Sequence, residues 1–268
     1  MQASNWQFDE RWIPLADREV FHSPNTVVAL PMTQVTLDSR SGVSRLQLQG
    51  NYYVKIFAGQ GSRLKFRLGI SRYQRELRNL QYFAALGLNT PKLVAHGFQS
   101  RLGVLQRAIL VTAEVDRAID MQALLVSGAL YRNGVNGARQ ILRALALATR
   151  KMHRDGFYHK DLKPRNILVR QTQGSAELFF FDCPSGHHPA RLLLRRGIVR
   201  DLAHLEEGLR DHVRRVDLLD MYQHYRSCAA LSGPDKSLAR DALTYHTRRR
   251  MTRRRRRREL QKQTRERD

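Results

Sequence analysis

The residues best suited to chemistry lie in the stretch HRDGFYHKDLKPRNILV, at positions 153–169. It contains the pattern His159-x-Asp161-x-Lys163-x-x-Asn166. An aspartate beside an acceptor hydroxyl can take its proton, and a nearby lysine can neutralise the charge on a transferring phosphoryl group. The amide oxygen of an asparagine is a hard ligand of the kind that Mg²⁺ prefers. The pattern therefore indicates phosphoryl-transfer chemistry.

Three residues outside this stretch can complete such a site. Lys55 lies within the apolar run YYVKIF, Glu76 lies in a segment with helical periodicity, and Asp182 ends the run FFFD. A lysine on a rigid strand can hold the phosphates of a nucleotide, and an acid on a neighbouring helix can orient that lysine. A carboxylate at the end of a strand can bind Mg²⁺. Each residue alone also fits an ordinary structural position, but their joint order and spacing favour the chemical interpretation.

The first part of the chain, which carries Lys55 and Glu76, is predicted to contain mostly strands. Periodicity and composition predict strands at 26–30, 45–48, 51–57 and 108–113. Ser39, Ser41 and Gly42 are expected to form the turn between the first two of them. A helix is predicted at 71–86, where Tyr73, Leu77 and Leu80 share one face, and Gly87 is expected to end it.

The second half of the chain is predicted to be mainly helical. Apolar residues recur at helical spacing over 138–153, and residues 198–228 also have an amphipathic helical pattern. Two short strands are expected at 167–169 and 178–181, the latter apolar throughout and so buried on both faces. Together these elements predict an α+β fold with a β-rich part followed by a helical part.

The ordered set of Lys55, Glu76, the HxDxKxxN pattern and Asp182 resembles the protein-kinase-like superfamily. With VKIF, RELRNLQYFAALGLNTPKLVAHG, HKDLKPRNILV and RDLAHL, the chain looks similar to the lipopolysaccharide kinase family (the Kdo/WaaP and InaA group). This resemblance extends over about 27–205. It implies a two-lobed, protein-kinase-like α+β fold. It also implies ATP- and Mg²⁺-dependent phosphorylation of a heptose or Kdo hydroxyl in the lipopolysaccharide inner core.

The resemblance also implies a role for each residue of the site. Asp161 would be the base and Lys163 would stabilise the transferring phosphoryl group, with His159 and Asp201 as structural support. The residues implied in binding ATP and its metal are Lys55, Glu76, Gly42, Glu114 and Val115 for the nucleotide, and Asn166 and Asp182 for Mg²⁺. The chain lacks a full G-x-G-x-x-G pattern, and Gly42 is the one glycine between the first predicted strands.

The expected organisation has three parts: an N-lobe at 1–113, a helical C-lobe at 114–246 and an Arg-rich tail at 247–268. ATP is expected between the two lobes, with 109–115 as the hinge strand and linker. The part of the sequence that follows Asp182 contains no A-P-E pattern. This argues against a regulated protein kinase with a peptide-docking lobe.

The charge of the chain predicts an anionic partner. The sequence has 47 Lys and Arg against 24 Asp and Glu, a net charge of +23, with six consecutive arginines from Arg253 to Arg258. An anionic membrane bound through Arg248 to Arg258 is favoured over nucleic acid, because the resemblance implies a glycolipid substrate. Few aromatic residues beyond Tyr245 accompany these arginines, which weakens an RNA site that depends on base stacking. Two cysteines fit a reducing compartment. With no predicted signal peptide or membrane span, the protein is expected on the cytoplasmic face of the inner membrane.

Two other functions remain open at the level of sequence. The same residues would serve a small-molecule kinase or a protein Ser/Thr kinase, from which the acceptor alone distinguishes a sugar kinase. A non-catalytic kinase-like scaffold with a nucleic-acid-binding basic tail belongs to a different class. The intact set of Lys55, Asp161, Asn166 and Asp182 argues against this scaffold.

Overall fold

A computed structural model describes the backbone of residues 2–37, 41–58, 72–101, 104–172 and 175–265, with side chains except at 2–4, 101, 104 and 253–265. The fold is mixed α+β, as predicted, and comprises two compact units. The first contains Met1–Ala118 and Leu178–Ser185, and the second contains Ile119–Glu177 and Gly186–Asp268. The first unit thus extends past position 113 and includes a segment from much later in the chain.

An antiparallel sheet of six strands forms the centre of the first unit, in the order β1-β5-β6-β4-β3-β2. Its strands are β1 (Gln2–Phe8), β2 (Thr33–Leu37), β3 (Ser41–Gln47), β4 (Asn51–Ala58), β5 (Leu93–Arg101) and β6 (Val104–Ala113). The helices of this unit are α1 (Pro24–Ala29) and α2 (Arg72–Ala85), with 3-10 turns at Glu10–Trp12 and Leu15–His22.

Strand β4 separates two apolar clusters because its side chains alternate between the faces of the sheet. Tyr52 and Val54 are buried in one cluster, which also contains residues of β3, β5, β6 and α1. Phe57 lies in the other cluster with Tyr73 and Leu80 of α2. Lys55 alternates in phase with Phe57, so the sequence of β4 alone directs the lysine towards the face that α2 covers.

Two expectations for the first unit are wrong. Residues 26–30 are not a strand, because Pro24–Ala29 is a helix whose N-cap, Ser23, accepts a hydrogen bond from the Asn25 N–H at 3.2 Å. The β-branched pair Val27 and Val28 favoured a strand, but Ser and Pro at the start give the stronger helix signal.

The other concerns Gly42, which is not a turn residue. It lies inside β3, paired with Leu37 of β2 and Ile56 of β4. A Cβ at this position would lie 3.3 Å from Leu37 Cδ1 and 3.8 Å from the Thr36 carbonyl oxygen, both on the neighbouring strand β2. Ser41 begins the same strand, and Ser39 lies outside the described residues.

The second unit is built mainly from helices. These are α3 (Met121–Val126), α4 (Gly134–Arg154), α5 (Arg191–Leu209), α6 (Arg215–Arg226) and α7 (Gly233–Arg265), with 3-10 turns at Ala129–Tyr131 and Pro164–Asn166. A small sheet has the order β7-β8-β9, from β7 (Ile119–Asp120), β8 (Ile167–Thr172) and β9 (Ser175–Phe180), the last three residues of β9 belonging to the first unit. Helix α4 packs on α6, and α5 packs on α7.

Helix α7 continues without a break across position 247, where a separate tail was expected. Its first half is anchored, since Leu238 and Ala242 are buried. Asp241 accepts ion pairs from Arg195 of α5 at 2.7 Å and from Arg248 of α7 at 3.1 Å. The basic segment is therefore the extension of a packed helix. In the described part of the chain, no helix is long and apolar enough to cross a membrane.

Candidate active site

Lys55 is the centre of a cluster of charges in the first unit. Its Nζ lies 2.6 Å from Glu76 Oε1 and 2.6 Å from Asp182 Oδ1. The side chains of Lys55 and Glu76 are 11% and 3% exposed, whereas that of Asp182 is 34% exposed. One buried cation is thus held by a fully buried acid on one side and by an accessible acid on the other.

Helix α2 fixes two parts of this cluster. Its buried stripe includes Tyr73, Glu76, Asn79 and Leu80, so Glu76 and Asn79 lie one helical turn apart on the same face. Asn79 donates its Nδ2–H to the backbone oxygen of Cys183 at 2.6 Å. Because Cys183 directly follows Asp182, α2 holds the lysine through one side chain and the metal-ligand candidate through another.

Asp182 has a left-handed backbone conformation, with φ of 52°. Such a conformation is unfavourable for a residue with a side chain, so it persists only where surrounding contacts impose it. The ion pair with Lys55 and the Asn79 contact at the next residue supply those constraints. The strand β9 therefore ends in a turn that directs an accessible carboxylate towards the lysine.

Burial and charge oppose one another at Lys55. Burial lowers the pKa of the amine, but the neighbouring carboxylates of Glu76 and Asp182 outweigh it and the pKa is raised. Burial raises the pKa of Glu76, an effect that Lys55 partly offsets. Lys55 therefore remains cationic at neutral pH. A permanent charge on a rigid strand is what binding of a phosphate group requires.

The candidate catalytic loop lies in the second unit and centres on Asp161. Lys163 Nζ is 2.8 Å from Asp161 Oδ1, and Asn166 donates its Nδ2–H to the Asp161 backbone oxygen at 2.8 Å. The 3-10 turn Pro164–Asn166 returns the chain so that Asn166 reaches Asp161. The Asp161 side chain is 33% exposed, so a substrate hydroxyl could approach it.

The surroundings of Asp161 keep it ionised. Burial raises its pKa, but the hydrogen bond and charge of Lys163, with a smaller contribution from Arg165, outweigh burial and lower the pKa. An aspartate that is ionised at neutral pH can accept a proton from an attacking hydroxyl. Its fixed position supplies the geometry that general base catalysis needs.

Asp201 holds the backbone that precedes Asp161. This residue is fully buried, and its carboxylate accepts the backbone N–H groups of His159 at 2.6 Å and Lys160 at 2.7 Å. Lys160 has a φ of 74°, so its left-handed conformation depends on such support. Asp201 lies well inside α5, so its carboxylate serves this loop and does not cap the start of the helix.

We expect Asp201→Asn to lower the free energy of unfolding by about 2 to 3 kcal/mol, because an amide NH₂ would replace one of two buried acceptors. The turnover number should fall as well, since the turn at Lys160 orients Asp161. Urea denaturation and a phosphotransfer assay measure the two effects. The control is Asp211→Asn, at an exposed aspartate just beyond α5, which should change neither. Full stability of Asp201→Asn would show that the two N–H contacts are dispensable.

The other residues expected to bind the nucleotide lie elsewhere in the first unit. Glu114 follows β6, where its N–H donates to the Asn51 oxygen at 2.8 Å and its carboxylate pairs with Arg45 at 2.8 Å. The backbone oxygen of Val115 accepts a hydrogen bond from the Ala118 N–H at 3.1 Å. Gly42 lies in β3, next to Val43, which pairs with Lys55 across the sheet.

Three residues that belong to these sites were not identified from the sequence. Asn79 holds Cys183, His153 lies 3.3 Å from Asp201 Oδ2, and His204 Nδ1 lies 3.7 Å from Asp161 Oδ1. The signal for Asn79 and His204 was their spacing, since each follows a site acid by three residues on a helix and so shares its face. For His153, the sequence offered only its place at the end of a buried helical stripe.

The donor set fits a nucleotide-bound Mg²⁺. The described side chains contain no cluster of three or more His, Cys, Asp or Glu residues that could form a protein-only metal site. Mg²⁺ in phosphotransferases is bound by one or two carboxylates together with substrate phosphates and water. The accessible carboxylate of Asp182 suits this chemistry, as does Asn166, whose amide nitrogen is engaged and whose oxygen remains for a cation.

Comparison with known proteins gives a consistent result. The family model described as "Lipopolysaccharide kinase (Kdo/WaaP) family" matches residues 24–225. No curated protein matches the chain. Among solved structures, the chain is similar to "WaaP in complex with acyl carrier protein", with a TM-score of 0.66 and 21% identity over 91% of this chain and 97% of that chain. At this level of identity, the structural likeness concerns the fold.

Proposed function

Because the chain belongs to the lipopolysaccharide kinase (Kdo/WaaP) family, we propose that it transfers a phosphoryl group from ATP to a heptose or Kdo hydroxyl of the lipopolysaccharide inner core. The observation that carries this proposal is the arrangement at Asp161. Its accessible, ionised carboxylate has the Lys163 amine 2.8 Å from Oδ1. A base paired with a cation in this way suits the attack of a neutral hydroxyl on a phosphoryl group.

The residues of the first unit bind the nucleotide in this proposal. Lys55, oriented by Glu76, holds the α- and β-phosphates, and Asp182 offers a carboxylate oxygen to Mg²⁺. We assign the Glu114 carbonyl and the Val115 N–H to the adenine, because the Glu114 N–H and the Val115 carbonyl already have backbone partners. Gly42 lies in β3 beside Val43, the strand partner of Lys55, and is assigned to the phosphates.

The residues of the second unit carry out proton transfer and charge stabilisation. Asp161 takes the proton of the sugar hydroxyl through Oδ2, the oxygen that Lys163 does not engage. Lys163 balances the negative charge that develops at the transferring group, and Asn166 offers its amide oxygen to Mg²⁺. When bound, ATP with Mg²⁺ supplies the phosphoryl group and a metal that neutralises its charge. Asp201 and His159 keep the loop in the conformation that presents Asp161.

The experiment that tests this function is transfer from γ-labelled ATP, with Mg²⁺, to delipidated and dephosphorylated core lipopolysaccharide. A generic basic protein and free small sugars serve as competing acceptors. We expect label in the core sugars. Label confined to the protein would indicate a Ser/Thr kinase, and label in free sugars alone would indicate a small-molecule kinase. Bound ATP without transfer to any acceptor would favour the scaffold.

We also propose that the protein attaches peripherally to an anionic membrane, at the cytoplasmic face of the inner membrane. The support comes from α5 and α7, whose arginines Arg195 and Arg248 share Asp241 and so lie side by side. Exposed apolar side chains accompany them, with Leu192 of α5 at 94% and Met251 of α7 at 65% exposure. Apolar residues between arginines are typical of surfaces that lie in a lipid interface.

The combined variant Arg248→Gln, Arg249→Gln and Arg250→Gln should bind vesicles of phosphatidylglycerol and phosphatidylethanolamine about 100-fold more weakly. The reason is that each arginine near an anionic leaflet contributes about 1 kcal/mol. Co-sedimentation measures the binding. The matched control replaces three exposed arginines outside α5 and α7, at positions 11, 117 and 132. Unchanged vesicle binding together with lost RNA binding would instead identify a nucleic-acid partner.

A protein partner is also proposed from the solved structure, whose title places WaaP with acyl carrier protein. By that likeness, we propose that this chain binds an acyl carrier protein. Co-elution of the full chain with purified acyl carrier protein in size-exclusion chromatography would support this interaction. Separate elution at micromolar concentrations of both proteins would contradict it.

A further inference from the structure

His204 is a buried histidine to which the proposed mechanism assigns no role. It lies on α5, three residues after Asp201, and is 5% exposed. Its Nδ1 lies 3.7 Å from Asp161 Oδ1. Among the residues that the structure describes, this buried Nδ1 has no hydrogen-bond partner. The ring nitrogen is therefore directed at the proposed base and is used by nothing else described.

The surroundings of His204 make its imidazole neutral. Burial, reinforced by the positive charges of Lys163 and Arg200, lowers its pKa to about 4. The carboxylates of Asp161 and Asp201 oppose this shift but do not outweigh it. A neutral imidazole has one N–H donor and one acceptor nitrogen. With its proton on Nδ1, His204 can donate to Asp161 Oδ1 without adding a charge to the site.

Helix α7 holds the imidazole of His204 in place. The His246 ring stacks on it with centroids 5.5 Å apart and planes at 23°, and Tyr245 meets it edge-on at 6.4 Å. The ion pair between Arg195 and Asp241 joins the same two helices at 2.7 Å. Rotation of the His204 ring away from Asp161 would therefore require displacement of α7.

We propose that His204 is a positioning residue for Asp161, and that α7 holds it in this role through the stacked ring of His246. His204 and Lys163 both approach Oδ1, whereas Oδ2 has only the longer contacts of the Asn166 amide at 3.5 Å and the Arg165 guanidinium at 3.6 Å. Oδ2 is therefore the oxygen that accepts the proton of the sugar hydroxyl. A separation of 3.7 Å exceeds a hydrogen bond, and contacts of this kind shorten when substrate binds. The inference rests on the proposed function, since it assumes that Asp161 is the base.

The kinetic test compares two substitutions at the same position. His204→Leu should lower kcat by about 10- to 100-fold, the usual effect of removing a group that orients a reacting residue. His204→Asn places an amide N–H near the position of Nδ1, so it should retain kcat within about threefold. The KM for ATP should stay within about twofold in both variants, because His204 is not assigned to the nucleotide. Equal loss in both, or no loss in either, would overturn the proposal.

A separate variant tests the contact between His204 and α7. His246→Ala removes the stacked ring but keeps His204, so it should lower kcat by a smaller factor than His204→Leu does. The matched control is His224→Leu, at a histidine of α6 that lies 3.6 Å from Asp220, much as His246 lies 3.2 Å from Glu207 of α5. It should leave kcat unchanged. Unchanged kcat in His246→Ala would contradict the role of α7.

A second measurement does not depend on turnover. In full-length protein labelled with ¹⁵N-histidine, Asp161→Asn should shift one imidazole Nδ1 resonance, the one that is missing from the spectrum of His204→Asn. If the wild-type chain transfers no phosphate to any acceptor, the proposed function fails while this shift still reports the contact. No change at that resonance would show that His204 does not act on Asp161, whatever the activity.

Discussion

Asp161→Asn should slow phosphoryl transfer by about 10³ and leave ATP binding nearly intact. The asparagine side chain matches the carboxylate in shape, so Asn166 can still bond the backbone oxygen of residue 161. What is lost is the proton acceptor, together with the charge that faces Lys163 at 2.8 Å. Removal of a general base typically costs a factor of 10² to 10⁴, and we expect about 10³ here.

Single-turnover transfer from labelled ATP measures the loss at Asp161, and fluorescence titration with a nucleotide analogue measures binding. The affinity for nucleotide should change by less than about threefold, since Lys55, Glu76 and Asp182, the residues proposed to bind the phosphates and the metal, belong to the other unit. A suitable control is Asp155→Asn, at an exposed aspartate that pairs with His188. Retention of more than a tenth of the wild-type rate would remove Asp161 from the role of base.

Lys55→Met should impair both function and stability. The substitution leaves Glu76, 3% exposed, without the cation that lies 2.6 Å from it. Removal of one partner of a buried ion pair costs about 3 to 5 kcal/mol. The same change removes the positive charge proposed for the nucleotide phosphates, so kcat/KM for ATP should fall by at least about 100-fold. Urea denaturation and steady-state kinetics give the two quantities.

A second substitution separates these two effects. In Lys55→Met combined with Glu76→Gln, no buried carboxylate is left unpaired, because the remaining partner, Asp182, is 34% exposed and can be hydrated. Most of the lost stability should therefore return while activity stays absent. Lys92→Met is the control, because Lys92 is an exposed lysine that lies over the Trp12 ring. A double variant as unstable as the single one would show that the ion pair is not the source of the loss.

The Lys55→Met variant should also have a distinctive dependence on pH. Burial already raises the pKa of Glu76 above 4.5, and loss of Lys55 removes the main opposing influence. The folded state then binds a proton that the unfolded state releases, so stability falls as the pH rises above about 4.5. The deficit relative to wild type should therefore grow between pH 5 and pH 8, and it should not grow in the double variant.

The sequence predicted those parts of the structure that depend on short-range pattern. Strand β4 and the helices α2 and α4 were found because their apolar residues repeat with the period of the element. The segment at 26–30 was assigned wrongly because two valines outweighed the Ser23-Pro24 start signal. The link from His204 to Asp161 could not be predicted, because it joins residues 43 positions apart through the packing of α5 against the catalytic loop.

The extent of α7 shows a second limit on what can be predicted from the sequence. A row of arginines in the sequence predicts repulsion and gives no sign of a packed element. The helix nevertheless extends from Gly233 to Arg265, because its first half is fixed by buried Leu238 and Ala242. Once that half is nucleated, each further residue adds a backbone hydrogen bond at low cost in entropy. Tertiary packing far from the arginines thus decides their secondary structure.

The two contacts made by α2 have a consequence for motion. Glu76 and Asn79 project from one face of the helix, one to the amine of Lys55 and the other to the carbonyl of Cys183. A rotation of α2 about its own axis would withdraw both side chains together. Within this unit, movement of this one helix would therefore release the lysine and the segment after β9 at the same time.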